Sequence, residues 1–281
     1  MLSVDVGSAA EPFMRRVFQS SDGVKLSFIE AAPQKLDNGQ PAIALIPGWC
    51  MPATLWRKQL EELGSRYRTL ALDPRGQGQS DVPAGGFTAE RRATDIHEFL
   101  QPLPKVLLIG WSLGAIESLQ YIEMFGAERI AGLVIVDSSV GEEPAPVSDG
   151  KFVEQLRKDR DKTLDAFVRA IFKTKRSEAE INELVRAAKR MSLNDSISLL
   201  SYPFLRSHWK QIAHSFTKPF LYVVTPQFEA QARNLQKNRP GTQVEVFREA
   251  GHALFVDEPE RFNALVREFA DSLSAIKPHD N

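Results

Sequence analysis

Cysteine is almost absent from this sequence, and neither sign of charge is in excess. Cys50 is the only cysteine among 281 residues, which excludes a disulfide within the chain and a metal site built from several thiolates. Lysine and arginine number 35 against 36 aspartate and glutamate residues, so the net charge is −1. Without a basic surplus to neutralise phosphates, we expect no nucleic-acid partner and favour a small-molecule ligand.

Long hydrophobic runs and cofactor motifs are also missing. No stretch approaches about 18 consecutive apolar residues, so we expect no membrane-spanning helix. The first residues, MLSVDVGSAAEP, lack the apolar core of a signal peptide, and we expect a cytoplasmic protein. Gly76 and Gly78 do not begin a dinucleotide-binding motif, because Asp81 stands where the third glycine is required. The sequence also has no phosphate-loop lysine motif and no metal-ligand pattern, so we expect no cofactor and no metal.

The composition is that of a folded globular protein, with 43% hydrophobic and 25% charged residues. Short apolar runs alternate with helical patterns along most of the chain. The runs lie at 42–46, 69–73, 105–110, 133–136, 220–224 and 244–247, and the helical patterns at 53–63, 88–100, 113–125 and 258–275. Continuous apolar runs are typical of strands covered on both faces. The alternation therefore predicts an α/β fold with a mostly parallel, doubly wound sheet.

Residues 13–30 predict an antiparallel hairpin ahead of that sheet. The segments FMRRVFQS and VKLSFIEA are strand-like, and they flank Asp22 and Gly23, a pair that tolerates the positive φ of a tight turn. We expect two antiparallel edge strands.

Residues 142–216 interrupt the alternation. The segment shows only helical periodicity, with charged stretches such as QLRKDRDK, and its roughly 75 residues exceed the usual connection between elements. We predict a lid of several helices inserted into a core formed by residues 1–141 and 217–281. An ordinary pair of crossover helices is the alternative.

The pentapeptide GWSLG at 110–114 joins a predicted strand to a predicted helix. A G-x-S-x-G pattern alone is common, but at such a junction it indicates a sharp turn in which the glycines make room for crowded backbone. The turn would hold Ser112 at the carboxyl end of a strand, where open α/β sheets bind ligands, and near the positive end of the next helix. We predict that Ser112 is a nucleophile rather than a linker serine.

A serine hydroxyl needs a nearby imidazole to accept its proton. His252 follows Gly251 in the loop after the predicted strand at 244–247, so it also lies at the carboxyl end of a strand. We predict that His252 is the base. The remaining histidines are predicted to be solvated or packing residues: His97, His208, His214 and His279.

Together these separated motifs resemble the α/β-hydrolase superfamily. The resemblance covers about residues 13–275 apart from the insertion, and it rests on LIPGW at 45–49, LDPRGQGQS at 72–80, GWSLG at 110–114, LVIVD at 133–137 and EAGHALFVDEPERF at 249–262. It implies an α/β-hydrolase fold in which Ser112 attacks an acyl carbon and His252 relays the proton. It also implies an oxyanion hole made of the backbone amides of Trp49 and Leu113.

The predicted oxyanion loop departs from the family pattern. Pro47 stands before Gly48 where relatives usually carry histidine, which removes one amide and a bracing side chain but leaves the amide of Trp49. Cys50 follows and offers a thiol as an alternative nucleophile. No pattern supplies an imidazole for it, so we interpret Cys50 as a packing residue.

The third member of a triad is open between two carboxylates. Many relatives carry an aspartate after the strand at 220–224, but this loop reads TPQFE, and Glu229 is its candidate. Asp137 follows the strand at 133–136, where members similar to haloalkane dehalogenases keep their acid. We favour Asp137, although it could instead cap backbone amides. Asp73 precedes a glycine-rich turn, and we interpret it as a brace for that turn.

These observations predict a cofactor-free serine hydrolase that cleaves a carboxylic ester with an apolar or medium-chain acyl group through an acyl-enzyme intermediate. We expect four residues to border the substrate: Trp49, Cys50, Trp111 and Leu113. The resemblance points to small carboxylesterases, pimeloyl-carrier-protein methyl esterases and cofactor-free haloperoxidases. The dehalogenase and epoxide-hydrolase branches of the family use aspartate as the nucleophile, so the serine at position 112 excludes this chain from them. Hydrolysis of thioesters, lactones or carbon-carbon bonds and perhydrolysis remain open, as does a ligand-binding protein without turnover.

Overall fold

The computed structural model of the protein describes residues 13–37, 39–146 and 150–274. An eight-stranded sheet in the order β1-β2-β4-β3-β5-β6-β7-β8 forms its centre. The strands are β1 (Met14–Gln19), β2 (Lys25–Ala31), β3 (Ala42–Ile46), β4 (Thr69–Leu72), β5 (Val106–Trp111), β6 (Ile130–Val136), β7 (Phe220–Val224) and β8 (Thr242–Val246). Strand β2 pairs antiparallel with β1 and with β4, and all other neighbours are parallel. The predicted mostly parallel α/β sheet is confirmed.

The N-terminal hairpin is present, but only one of its strands is an edge strand. Its turn contains Gly23 at φ 84°, as the Asp-Gly pair predicted. Strand β2 pairs with β4 through Phe28 and Leu72 on the side away from β1, so the expectation of two edge strands was wrong. The physical reason lies in burial, since β2 is mostly buried whereas β1 is mostly exposed and tolerates an unpaired side.

The apolar runs become strands because both faces of the sheet are covered. Successive side chains of a strand point to opposite faces. Ile43 and Leu45 pack into one apolar cluster, while Ala44 and Ile46 pack into the other. Because both faces of such a strand are buried, apolar residues do not alternate with polar ones along it, which explains the unbroken apolar runs.

Helices form the layers on the two faces. Outside the insertion they are α1 (Arg57–Leu63), α2 (Ala89–Leu100), α3 (Leu113–Phe125), α9 (Glu229–Asn238), α10 (Leu254–Asp257) and α11 (Pro259–Ser274). Helices α1 and α11 pack together on one face, and α2 and α3 pack together on the other. No helix in the described ranges is both long and apolar enough to cross a membrane.

The segment between β6 and β7 contains five described helices. They are α4 (Phe152–Lys158), α5 (Arg160–Ala170), α6 (Glu178–Ala188), α7 (Leu193–Ser198) and α8 (Arg206–Ser215). A capping box between Ser177 and Glu180 starts α6. Helix α8 packs against α3, where His208 Nε2 lies 3.0 Å from Gln120 Oε1. Helix α8, which lies within the segment 142–216 predicted to form a lid, thus packs with the helical layer of the sheet.

Asp73, directly after β4, has a fully buried side chain that holds three segments together. Its carboxylate accepts hydrogen bonds from the Arg15 guanidinium at 2.6 Å and from the backbone amides of Ala53 at 2.6 Å and Gln79 at 3.0 Å. A buried carboxylate satisfied by three donors supports the interpretation of Asp73 as a structural brace.

We expect Asp73→Asn to lower the free energy of unfolding by about 2–3 kcal/mol. The NH₂ group of asparagine would face one or more of the N–H donors that now bond to the carboxylate, and these buried donors would lose their acceptor. Urea denaturation at pH 7 measures this. Asp165→Asn is the control, since it removes an exposed carboxylate that pairs with Arg169 on α5 and should leave stability nearly unchanged. Equal losses in the two variants would contradict the assignment.

Candidate active site

Ser112 occupies the turn between β5 and α3 in a strained conformation. Its φ is 54° and its ψ is −120°, a positive φ that is uncommon for residues other than glycine. The turn is held on both sides, since the Ser112 amide donates to the Val136 carbonyl at 3.0 Å and the Ala115 amide donates to the Ser112 carbonyl at 3.0 Å. The side chain is thereby presented at the carboxyl edge of the sheet.

The glycines of the pentapeptide are required by close approach of the backbone. A Cβ on Gly114 would lie 2.5 Å from the carbonyl oxygens of both Ile46 and Pro47. A Cβ on Gly110 would lie 2.5 Å from the Gly114 carbonyl oxygen. The start of α3 can therefore press against the loop after β3 only if these positions lack side chains.

His252 and Asp137 meet at the same edge. His252 Nδ1 lies 2.7 Å from Asp137 Oδ2, and the Asp137 side chain is buried. The other carboxylate oxygen accepts the Thr225 amide at 2.7 Å, which fixes the plane of the carboxylate. A carboxylate only accepts hydrogen bonds, so this contact favours the tautomer with the proton on Nδ1, which leaves Nε2 as a proton acceptor.

The loop that carries His252 is tied to the turn that carries Ser112. The Trp111 indole Nε1 donates to the His252 carbonyl oxygen at 2.9 Å, and the Trp111 and His252 rings are 5.2 Å apart. Because Trp111 directly precedes Ser112, this bond couples the position of the imidazole to that of the serine turn.

Glu229, the other candidate acid, begins α9 and points to different partners. Its Oε1 lies 2.8 Å from Arg248 Nη2 and 3.7 Å from Arg233 Nη2. Of the two carboxylates considered from the sequence, Asp137 is the one that contacts His252.

The loop after β3 lies against Ser112. A Cβ on Gly48 would be 3.0 Å from Trp111 Cε3 and 3.1 Å from Ser112 Cβ. The backbone amides of Trp49 and Leu113 donate no hydrogen bond to any other residue that the structure describes. Two N–H groups, one in the loop after β3 and one at the start of α3, are therefore left without a partner among the described residues.

A cavity of about 290 Å³ opens above Ser112. Its walls come from the loops after β3, β5 and β6, from α3, from the segment after α7 and from α8. The residues that form them are Trp49, Ser112, Leu113, Ile116, Ser138, Leu199, Leu200, Tyr202 and Trp209. The sequence did not indicate the six residues that follow Leu113 among these. Only Ser138 had a signal, because it adjoins Asp137. Ile116 and Trp209 lie in helices whose periodicity does not reveal which face meets the cavity, and Leu199, Leu200 and Tyr202 lie in the irregular segment after α7.

Two of the expected substrate contacts are corrected by the structure. Cys50 and Trp111 are not among the residues that line the cavity, and both are fully buried in the apolar core. Burial raises the pKa of the Cys50 thiol far above its ordinary value, so the thiol stays protonated and is a poor nucleophile. Trp49 does line the cavity, and its indole also donates to the Ser196 carbonyl at 2.6 Å.

The remaining histidines have other partners. His97 stacks on Phe125 at a ring separation of 4.0 Å, and His208 stacks on Phe204 at 4.3 Å. His214 bonds to Glu142, and His279 lies outside the described residues.

A larger open groove of about 1040 Å³ runs along β1, β2 and α2, and Ser112 does not line it.

Comparisons with known proteins agree with this architecture. Pimeloyl-(acyl-carrier protein) methyl ester esterase from Vibrio campbellii is 26% identical over 261 residues, which cover 82% of this chain and 94% of that protein. An esterase from Exiguobacterium antarcticum superposes with a TM-score of 0.79 at 23% identity, covering 92% of this chain and 100% of that one. A bromoperoxidase from Bacillus anthracis gives a TM-score of 0.80 at 20% identity with the same coverage.

A sequence model described as the alpha/beta hydrolase family matches residues 43–265. This range contains all five motifs on which the resemblance rested, and it includes Ser112, Asp137 and His252. The resemblance inferred from those motifs is confirmed: the chain belongs to the alpha/beta hydrolase family.

Proposed function

We propose that this protein is a serine hydrolase that cleaves a carboxylic ester through an acyl-enzyme intermediate. The observation that carries the proposal is the 2.7 Å contact between Asp137 and His252 at the sheet edge that also presents Ser112 on a strained turn. These are the three chemical groups that acyl transfer requires: a nucleophile, a base and a carboxylate that orients the base.

In the proposed reaction, His252 Nε2 accepts the proton of the Ser112 hydroxyl as Oγ attacks the ester carbonyl. Asp137 holds the imidazole in the required tautomer and stabilises the imidazolium that forms. The amides of Trp49 and Leu113 bind the developing oxyanion, and each such donor contributes about 3 kcal/mol to the transition state. His252 then protonates the leaving alcohol, and water attacks the acyl-enzyme by the same route in reverse order.

The comparisons support an ester rather than another substrate of the fold. The Vibrio campbellii relative is named a methyl ester esterase, and the Exiguobacterium antarcticum structure is an esterase. Perhydrolysis is the second candidate, because the structure is similar to a bromoperoxidase from Bacillus anthracis. In that reaction the acyl-enzyme would transfer its acyl group to hydrogen peroxide instead of water.

The walls of the cavity favour an apolar acyl group, and part of them comes from the helical insertion. Leu113, Ile116 and Leu199 supply apolar wall, and the cavity of about 290 Å³ is small. We propose that α4–α7, with the segment that follows α7, act as a lid that selects the acyl group. This segment contacts both loops of the site. The Ser196 carbonyl accepts a hydrogen bond from the Trp49 indole in the loop after β3, and the Ile171 carbonyl accepts one of 2.7 Å from the Ala253 amide, next to His252.

Ser112→Ala should reduce turnover of p-nitrophenyl esters at least 10³-fold, as expected when a triad serine is removed. Initial rates over a panel of acyl lengths measure this, and thermal unfolding checks that the variant folds. Ser272→Ala, which removes an exposed hydroxyl on α11, is the matched control and should match wild type. Equal rates for wild type and Ser112→Ala would favour a ligand-binding protein without turnover.

Asp137→Asn should lower turnover by about 10⁴-fold, because an asparagine amide facing Nδ1 stabilises the tautomer that cannot accept the serine proton. Glu229→Gln should change turnover by less than about tenfold, since Glu229 pairs with Arg248 instead. The two variants are compared at pH 7 on one ester. The opposite ranking would assign the orienting role to Glu229.

Leu200→Ala should change the ratio of kcat/KM for octanoate over acetate esters by about four- to fifteenfold, since one or two methylene contacts contribute about 0.8 kcal/mol each. Leu205→Ala is the control: it lies five residues further along, its side chain is 79% exposed, and it does not line the cavity. A uniform effect of Leu200→Ala on all esters would count against selection of the acyl group by this segment.

A further inference from the structure

The oxyanion loop has a brace that the family pattern did not indicate. Residues 47–51 form a tight turn in which Pro47 has no N–H and Cys50 has a positive φ of 59°. The Gly48 carbonyl accepts the Met51 amide at 3.2 Å across this turn. Pro47 stands where relatives usually carry a bracing side chain, so that support is missing beside the peptide between Gly48 and Trp49.

Gln77 supplies the missing contacts from the loop after β4. Its Nε2 donates to the Gly48 carbonyl oxygen at 3.1 Å and to the Met51 carbonyl oxygen at 2.8 Å. The side chain is completely buried. One amide group therefore satisfies both ends of the turn with its two N–H bonds.

The orientation of the Gln77 amide is set by an arginine. Arg92 Nη2 donates to Gln77 Oε1 at 3.0 Å, and a guanidinium has no acceptor atom. The oxygen of Gln77 must therefore face Arg92, which leaves the nitrogen to face the loop. Glu117 holds Arg92 in place through contacts of 2.8 and 3.1 Å.

Peptide planarity transmits this constraint to the oxyanion hole. In a trans peptide the C=O of one residue and the N–H of the next point in opposite directions. Gln77 holds the Gly48 carbonyl on the inner side of the loop, so the Trp49 N–H is held on the outer side, toward the cavity that Trp49 lines. Rotation of this peptide would break both bonds to the carbonyl and withdraw the donor.

We propose that Gln77 is the positioning residue of the oxyanion hole, acting on the Trp49 amide through the Gly48 carbonyl. This inference rests on the proposed serine hydrolase function. It differs from a purely structural role because the Trp49 amide engages the substrate most strongly in the tetrahedral state, so loss of Gln77 weakens the transition state more than the bound ester.

Gln77→Met in the full-length protein tests the proposal, because methionine keeps the size of the side chain and removes both donors. We expect kcat and kcat/KM for p-nitrophenyl acetate to fall together by tenfold to hundredfold, with KM within about threefold of wild type. The inhibition constant of phenylboronic acid, whose tetrahedral adduct on Ser112 places an oxygen in the hole, should rise by a similar factor.

Gln59→Met is the matched control. Gln59 is equally buried and donates to the Phe255 carbonyl and to Asn263, neither of which belongs to the oxyanion loop, so its loss should lower the melting temperature without changing kcat. Gln77→Glu is the second variant, for use if Gln77→Met does not fold. Its carboxylate can pair with Arg92 but cannot donate to the loop, and it should lose kcat as Gln77→Met does.

The outcomes separate the two proposals. Wild-type turnover that depends on Ser112, together with a kcat within threefold of wild type in both Gln77 variants, would overturn the positioning role alone. A rise in KM with unchanged kcat would also overturn it. Absence of Ser112-dependent turnover in the wild type would overturn the hydrolase function and this inference with it.

Discussion

Parallel pairing of β3, β5, β6, β7 and β8 is the constraint on which the rest of the structure depends. Strands that run in the same direction end at the same edge, so the loops that follow them are brought together although they are far apart in sequence. Ser112 follows β5, Asp137 follows β6 and His252 follows β8. The contact between Asp137 and His252 spans 115 residues of chain and exists only because these strands share one direction.

Strain and close packing are concentrated at that edge. Cys50, Ser112 and Asp137 are the described non-glycine residues with positive φ, and each follows a different strand of the parallel set. Such conformations persist only where surrounding contacts determine them. The contacts here include the Thr225 amide on Asp137 and the glycine that lets α3 approach the loop after β3. The proposed chemistry thus lies on backbone that surrounding contacts hold in uncommon conformations.

Buried polar side chains link the core to the helices above it. Arg92 and Glu117 form a fully buried pair, and the Tyr202 hydroxyl donates to Glu117 at 2.9 Å from the segment that borders the cavity. A buried ion pair is costly to desolvate and is retained only when its hydrogen bonds are satisfied. Through Gln77 the same pair reaches the oxyanion loop, so the loop and the cavity wall share one set of supports.

Local patterns in the sequence determined the strands, the serine turn and the candidate base, because apolar runs, glycine pairs and strand ends are encoded within a few residues. The preference for Asp137 came from the resemblance to family members that keep their acid after the same strand. Tertiary structure decided which carboxylate meets His252, that Cys50 and Trp111 are buried instead of facing the cavity, that β2 is an inner strand, and that Gln77 reaches the loop after β3. These features depend on segments tens to more than a hundred residues apart. Periodicity along one segment carries no information about which distant segment packs against it.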